Sequence, residues 1–130
     1  MMIVIKTDVP RQVLEDVFVT ALEGGSNYWY YLPEESIKAI RDAVPKSVEP
    51  CLSIAISKAI IDHGVPVGIN DAENEDDELG VISMNTMAER LQILATESKW
   101  AFDQEIEGNG DASSSDVWLQ YMAFGEVIFG

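Results

Sequence analysis

Apolar residues recur along the chain in several rhythms, and each rhythm predicts a different element. Leu14, Val17, Phe18, Ala21 and Leu22 fall at three- and four-residue steps, which places them on one face of a helix starting near Pro10. Asp8 and Pro10 suit its entry, Gly24 is the expected left-handed stop, and Gly25 gives the chain freedom to reverse. Glu23 then faces the negative end of the helix dipole and calls for a compensating group. That group is expected to be the free N–H groups near Glu34 to Ser36, or else a ligand, cation or partner. In Tyr28-Trp29-Tyr30-Tyr31 four aromatics are consecutive, and neither helix nor strand geometry points all four into one core, so at least one faces outward. Pro33-Glu34-Glu35 opens a second helix with Ile37, Ile40 and Val44 inward, closed by Pro45.

After Pro50, Leu52, Ile54, Ala55, Ile56, Ala59, Ile60 and Ile61 follow with few polar breaks, which predicts a buried central helix over about 50–63 ended by Gly64. Two alternating runs, 65–69 and 79–83, predict a small β-hairpin over about 65–83, with its first strand at an edge or starting only after Pro66. Thr86-Met87-Ala88-Glu89 has the capping-box pattern and marks the start of the longest helix. Its apolar stripe runs through Met87, Leu91, Leu94, Ala95, Ser98, Ala101, Phe102 and Ile106 to the stop at Gly108-Asn109-Gly110. The polar residues 111–115 offer N-caps for a last helix starting near Asp116, with Trp118, Leu119, Met122 and Ala123 inward. A glycine stop and a short extended segment end at Gly130, and Ile3-Val4-Ile5 reads as an edge strand or extended lead-in. The sum is one α+β domain over 1–130, with four to five helices around the 50–63 helix and a hairpin at one side; a mostly-α fold is the alternative.

Charge changes the picture of what such a domain does. Eight Lys and Arg stand against 23 Asp and Glu, a formal charge of −15, which opposes direct binding to nucleic acid or an anionic membrane and favours a protein partner with a basic surface. No apolar run approaches the roughly 20 residues that span a bilayer. A single cysteine, Cys51, forms no internal disulfide, and the first residues lack a basic n-region, so a cytoplasmic location is expected.

Candidate chemistry is sparse. Cys51 and His63 are the only thiol–imidazole pair, yet on one helix they stand about 18 Å apart, beyond hydrogen-bond reach. Ser113-Ser114-Ser115 has no neighbouring base, and helix capping explains it better. The acidic run Asp71, Glu73, Glu75, Asp76, Asp77 and Glu78 fails as a calcium loop, having Asp76 where glycine belongs and Ile82 where the bidentate Glu belongs. The run Asp103, Glu105, Glu107, Gly108, Asn109, Asp111 keeps its first acids and its glycine but puts Ser114 at the twelfth position. Neither predicts a metal site, and nothing calls for a cofactor. Glu23 and Glu126, each beside a glycine at a helix end, are the remaining candidates for a carboxylate dyad.

The two ends of the chain carry its most distinctive motifs. Ala21-Leu22-Glu23-Gly24-Gly25-x-x-Tyr28-Trp29, with Asp111-Ala112 and the closing Gln120-Tyr121-Met122-Ala123-Phe124-Gly125-Glu126-Val127-Ile128-Phe129-Gly130, resembles uncharacterised small acidic proteins of phages, prophages and other mobile elements. The resemblance implies a genomic setting and no activity. Glu23, Gly24, Gly25, Tyr28, Trp29, Tyr30, Phe124, Gly125 and Glu126, at and beside these motifs, are the candidate binding residues, positions that a shared packing motif would explain as readily, and the charge run Asp71, Glu73, Glu75, Asp76, Asp77 and Glu78 is the acidic surface. The leading expectation is a non-enzymatic protein that binds a host or phage protein, its carboxylates steering toward a basic surface or imitating nucleic-acid phosphates. A small metal-assisted or acid/base enzyme using Glu23 and Glu126 is the second class. A self-assembling accessory component, with an exposed aromatic as its homo-oligomer anchor, is the third.

Overall fold

The computed structural model describes residues 8–130 and is α+β: six α-helices and a three-stranded antiparallel sheet among those residues. The predicted Ile3-Val4-Ile5 strand lies outside the described residues. Helix α1 (Arg11–Thr20) buries Leu14, Val17 and Phe18 as its spacing requires, and Pro10 is its N-cap rather than a first-turn residue.

The end of α1 departs from the expectation. Instead of a left-handed Gly24, the helix widens into a π turn (Ala21–Gly25), closed by Ser26 N–H donating to Ala21 O at 2.8 Å. Gly24 has no positive φ and open space where a side chain would be. Gly25 is the constrained glycine, because a Cβ there would overlap the carbonyl of Ala112. The extra residue of the π turn thus lets the chain pass close against the start of the last helix.

Strand β1 (Tyr30–Tyr31) was not foreseen; it pairs antiparallel with β2 (Val67–Asp71), which pairs antiparallel with β3 (Glu78–Ile82). β2 begins immediately after Pro66, where a backbone donor first becomes available. A register irregularity at Ile69/Asn70 bends the ladder. Between the strands in sequence lie α2 (Glu34–Ala43) and α3 (Leu52–His63). In α2 the inner face is Ser36, Ile40 and Val44; Ile37, expected inside, is 36% exposed, since one residue around the helix carries it past the buried stripe. α3 is the buried helix expected, ended by Gly64 at φ 65°.

The predicted long helix is two. α4 (Met84–Glu97) and α5 (Lys99–Ile106) meet at Ser98, whose φ of −130° breaks the helical path. Thr86 does not cap: α4 starts at Met84 with Ser83 as N-cap, and the Thr86 hydroxyl donates back to Ser83 O. The capping box belongs instead to α6 (Ala112–Phe124), four residues earlier than expected, where the Asp111 carboxylate accepts from Ser114 N–H and the Ser114 hydroxyl accepts from Asp111 N–H. A cap of this kind is worth about 1 kcal/mol.

α6 is, after α3, the second buried helix, and it packs against α1, the π turn, α4, α5 and β3. Residues Trp118 to Ala123 are all buried, Gln120 and Tyr121 included, so the helix has no solvent face over that span. Its left-handed stop, Gly125 at φ 79°, leaves carbonyls that Arg90 satisfies, donating to Met122 O and Ala123 O at 2.8 Å each and to Val81 O on the edge strand at 3.2 Å. One guanidinium therefore closes a helix end and blunts a sheet edge.

Candidate functional site

The two end motifs meet on Asp116. Its Oδ1 accepts from Ser26 Oγ at 2.7 Å and Trp29 Nε1 at 2.8 Å; its Oδ2 accepts from Tyr28 OH at 2.6 Å and Gln120 Nε2 at 3.2 Å. The residues after the π turn are thus held by a carboxylate on α6. Partial burial, then the Asp116 charge, pushes the Tyr28 phenol up to about 12. Trp29, 2% exposed, stacks on Phe129 with centroids 5.2 Å apart and packs against Phe124 at 5.3 Å. Trp29 and Phe124 are accordingly packing groups within one aromatic cluster, with Tyr30 at its edge donating to Leu22 O. Tyr28 and Tyr31 are the aromatics that face outward. Asp116 and Gln120 carry no signal in periodicity, because a polar residue on a buried helix face reads as a pattern break.

Glu23 and Glu126 do not form a dyad. Glu23 accepts a hydrogen bond from Ser53 Oγ at 2.9 Å, so its compensating group is the start of α3 and not that of α2. The π turn carrying it meets α6 at Ala112, whereas Glu126 follows Gly125 at the other end of that 13-residue helix, about 20 Å away along its axis. Burial and the charge of Glu23 raise the Tyr30 phenol. Cys51 and His63 lie at the two ends of α3, the thiol at 3.2 Å from the Ser53 hydroxyl. The second acidic run is structural: Glu105, 7% exposed, accepts from the Ser114 and Ser115 hydroxyls at 2.7 and 2.8 Å, and Gly110 leaves room for its carboxylate. Among the described residues no group of three or more His, Cys, Asp or Glu side chains is placed to hold a metal ion.

The first acidic run is placed differently. It forms the tip of the β2–β3 hairpin, and much of its backbone is hydrogen-bonded. Asp71 N–H donates to Asp77 O, Asp77 N–H to Asn74 O, and Ala72 N–H to Trp29 O, at 2.8 to 2.9 Å. The buried Asn70 donates through Nδ2 to Glu75 O at 2.7 Å, and Asp71 Oδ1 accepts from Glu73 N–H at 2.8 Å. The loop is therefore held in shape by main chain and Asn70, and Glu73, Glu75, Asp76, Asp77 and Glu78 are exposed, their carboxylates without a hydrogen bond or ion pair among the described residues. The ion pairs lie elsewhere: Arg11–Asp62, Lys58–Glu49, Lys38–Asp42 and Lys99–Asp103. Arg41 and Arg90 are committed to backbone carbonyls. Beside the hairpin, a groove of about 460 Å³ runs between α2 and the sheet, floored by Ser36, Gly68 and Asn70 and rimmed by Glu35, Asp76 and Glu78.

A larger groove of about 520 Å³ lies between the start of α1, α4 and α5, where Leu14, Met87, Leu91, Ala95 and Phe102 line it. Among the described residues no helix is long and apolar enough to cross a membrane. No protein-family model, curated protein sequence or solved structure matches the chain.

Proposed function

We propose that this domain is a non-enzymatic binding protein that takes a basic protein surface on its β2–β3 hairpin. The observation that carries this reading is the contrast between an ordered backbone and unneutralised side chains: five exposed carboxylates in the span 73–78 on a loop whose main chain is hydrogen-bonded. Like charges held this close repel one another, and a disordered loop would relax by spreading them. A fixed loop cannot spread, so a cationic partner relieves the repulsion and is steered to it from a distance. The adjoining groove, rimmed by Asp76 and Glu78 of the hairpin and by one further exposed acid, Glu35, gives a Lys or Arg side chain somewhere to enter. A phage or mobile-element origin fits this reading, since such a protein would act by occupying a host surface.

The test is capture of interacting proteins on the immobilised domain at about 50 mM and about 500 mM salt, where the screening length shortens from roughly 14 Å to 4 Å. A basic protein retained at low salt and released at high salt is the expected result. A partner whose retention is unchanged by salt would remove the electrostatic basis of the proposal.

A further inference from the structure

The segment after Gly125 is bound to the domain in the manner of a peptide ligand. Gln120 lies fully buried beneath it and uses every hydrogen-bonding position of its carboxamide. Oε1 accepts from Ile128 N–H at 2.8 Å and Phe129 N–H at 2.9 Å; Nε2 donates to Phe129 O at 3.2 Å and to Asp116 Oδ2 at 3.2 Å. The carboxamide thus holds the main chain of Ile128-Phe129 with two consecutive N–H groups turned to one oxygen, a bent backbone and not a strand, whose N–H groups alternate in direction. The side-chain recognition is a single ring, Phe129, stacked on Trp29 at an interplanar angle of 6° with Phe124 at 6.2 Å. Glu126, Val127, Ile128 and Gly130 are exposed and contribute little else.

The receiving surface is also held from within the domain. Trp29 is anchored by Asp116 and packed on Phe124, and Gln120 is on a buried helix turn held by Trp118, Leu119 and Met122. Lifting residues 126–130 away would leave a slot with an aromatic floor and a carboxamide beside it, both aimed at the Ile128-Phe129 backbone.

We infer that the Trp29–Phe124–Gln120 slot is a peptide-binding site filled in cis by Val127-Ile128-Phe129, and that a segment of a partner protein carrying an aromatic residue after a β-branched one, its backbone bent so that both N–H groups face Gln120, displaces it. The occupant now in place defines the ligand chemistry: two adjacent backbone N–H groups and one carbonyl for Gln120, and a flat ring for Trp29. The slot uses neutral groups apart from Asp116, which is consumed by its four donors, so this binding is independent of the acidic hairpin and insensitive to salt.

Phe129→Ala removes the ring from the slot and leaves the rest of the chain in place. Titration of that variant with the synthetic peptide Glu-Val-Ile-Phe-Gly, followed by tryptophan fluorescence and by the Gln120 side-chain amide resonances, is expected to show saturable binding at least tenfold tighter than to the unaltered protein. The same peptide with Ala for Phe is expected to show none. A folded variant whose signals do not move at millimolar peptide overturns the inference. Should the variant fail to fold, hydrogen exchange on the unaltered protein decides: the Ile128 and Phe129 amides are expected to exchange at least tenfold faster than that of Leu119 in α6. Equal rates would show that the segment leaves only with the whole fold. A dimer formed by exchange of the segment between two copies would also overturn it, by placing this chain rather than a partner in the slot.

Discussion

Replacing Asp116 by Asn tests how the two end motifs are joined. In the unaltered protein two carboxylate oxygens accept four hydrogen bonds, from Ser26, Trp29, Tyr28 and Gln120. Asparagine keeps the shape but offers one oxygen and one NH2. Facing its oxygen toward Trp29, which can only donate, turns its NH2 toward the Tyr28 hydroxyl and the Gln120 NH2. The phenol can rotate and accept; the Gln120 amide cannot without losing Phe129 O. One donor–donor opposition therefore remains, and the two retained bonds lose their charge assistance, each falling from about 1.5–3 to about 0.5–1.5 kcal/mol. Because Asp116 is only partly buried, water takes up part of the loss, and the net cost comes to about 2–4 kcal/mol. At roughly 2.1 cal/mol/K of unfolding entropy per residue, that lowers the thermal midpoint by about 7–15 °C. Scanning calorimetry measures this directly, with near-ultraviolet circular dichroism reporting the Trp29 environment. A midpoint within 2 °C of the unaltered protein would refute the reasoning.

Three further expectations follow from the same geometry. Gly110→Ala sets a methyl group against the Glu105 carboxylate, which two serine hydroxyls hold in place, and should cost about 2–4 kcal/mol in urea unfolding; Gly24→Ala, with open space at that position, should cost under about 1 kcal/mol. Arg90→Met leaves the carbonyls of Met122, Ala123 and Val81 to water and should lower stability by about 1–3 kcal/mol by the same assay. The raised Tyr28 phenol contributes stability that is present below its ordinary value of 10.0 and is lost as pH rises through about 12, so the thermal midpoint should fall across that window, less steeply in Tyr28→Phe.

What could be read without coordinates follows from how local each cause is. The α1 face, the glycine stops at Gly64 and Gly125 and the start of β2 after Pro66 each depend on a few neighbouring residues, and each stands where the spacing puts it. The break at Ser98 was hidden because two helices meeting at an angle keep one apparent stripe. Strand β1 was hidden because two residues beside aromatics carry no alternation. Thr86-x-x-Glu89 matched the capping pattern in sequence, but Ser83 reaches the helix entry first, and the reciprocal cap formed at Asp111–Ser114, where Ser replaces the Glu of the pattern. Of the candidate binding residues, Tyr28, Trp29 and Phe124 do come together, Phe124 by packing on Trp29, yet the group that joins Tyr28 to Trp29 is Asp116, 87 residues from Trp29 in the chain. Glu23 and Glu126 looked alike because both flank helix-end glycines, and no local pattern records which end of α6 each would reach.

The most direct measurement of the central claim compares two five-fold variants of equal charge for retention of the salt-sensitive partner. One replaces Glu73, Glu75, Asp76, Asp77 and Glu78 by their amides; the other does so at Asp8, Glu34, Glu89, Glu107 and Glu126, which are also exposed. Loss of binding in the hairpin variant alone, by at least tenfold, is the predicted result. Equal weakening in both would mean that the partner senses net charge rather than the hairpin, and would contradict the account.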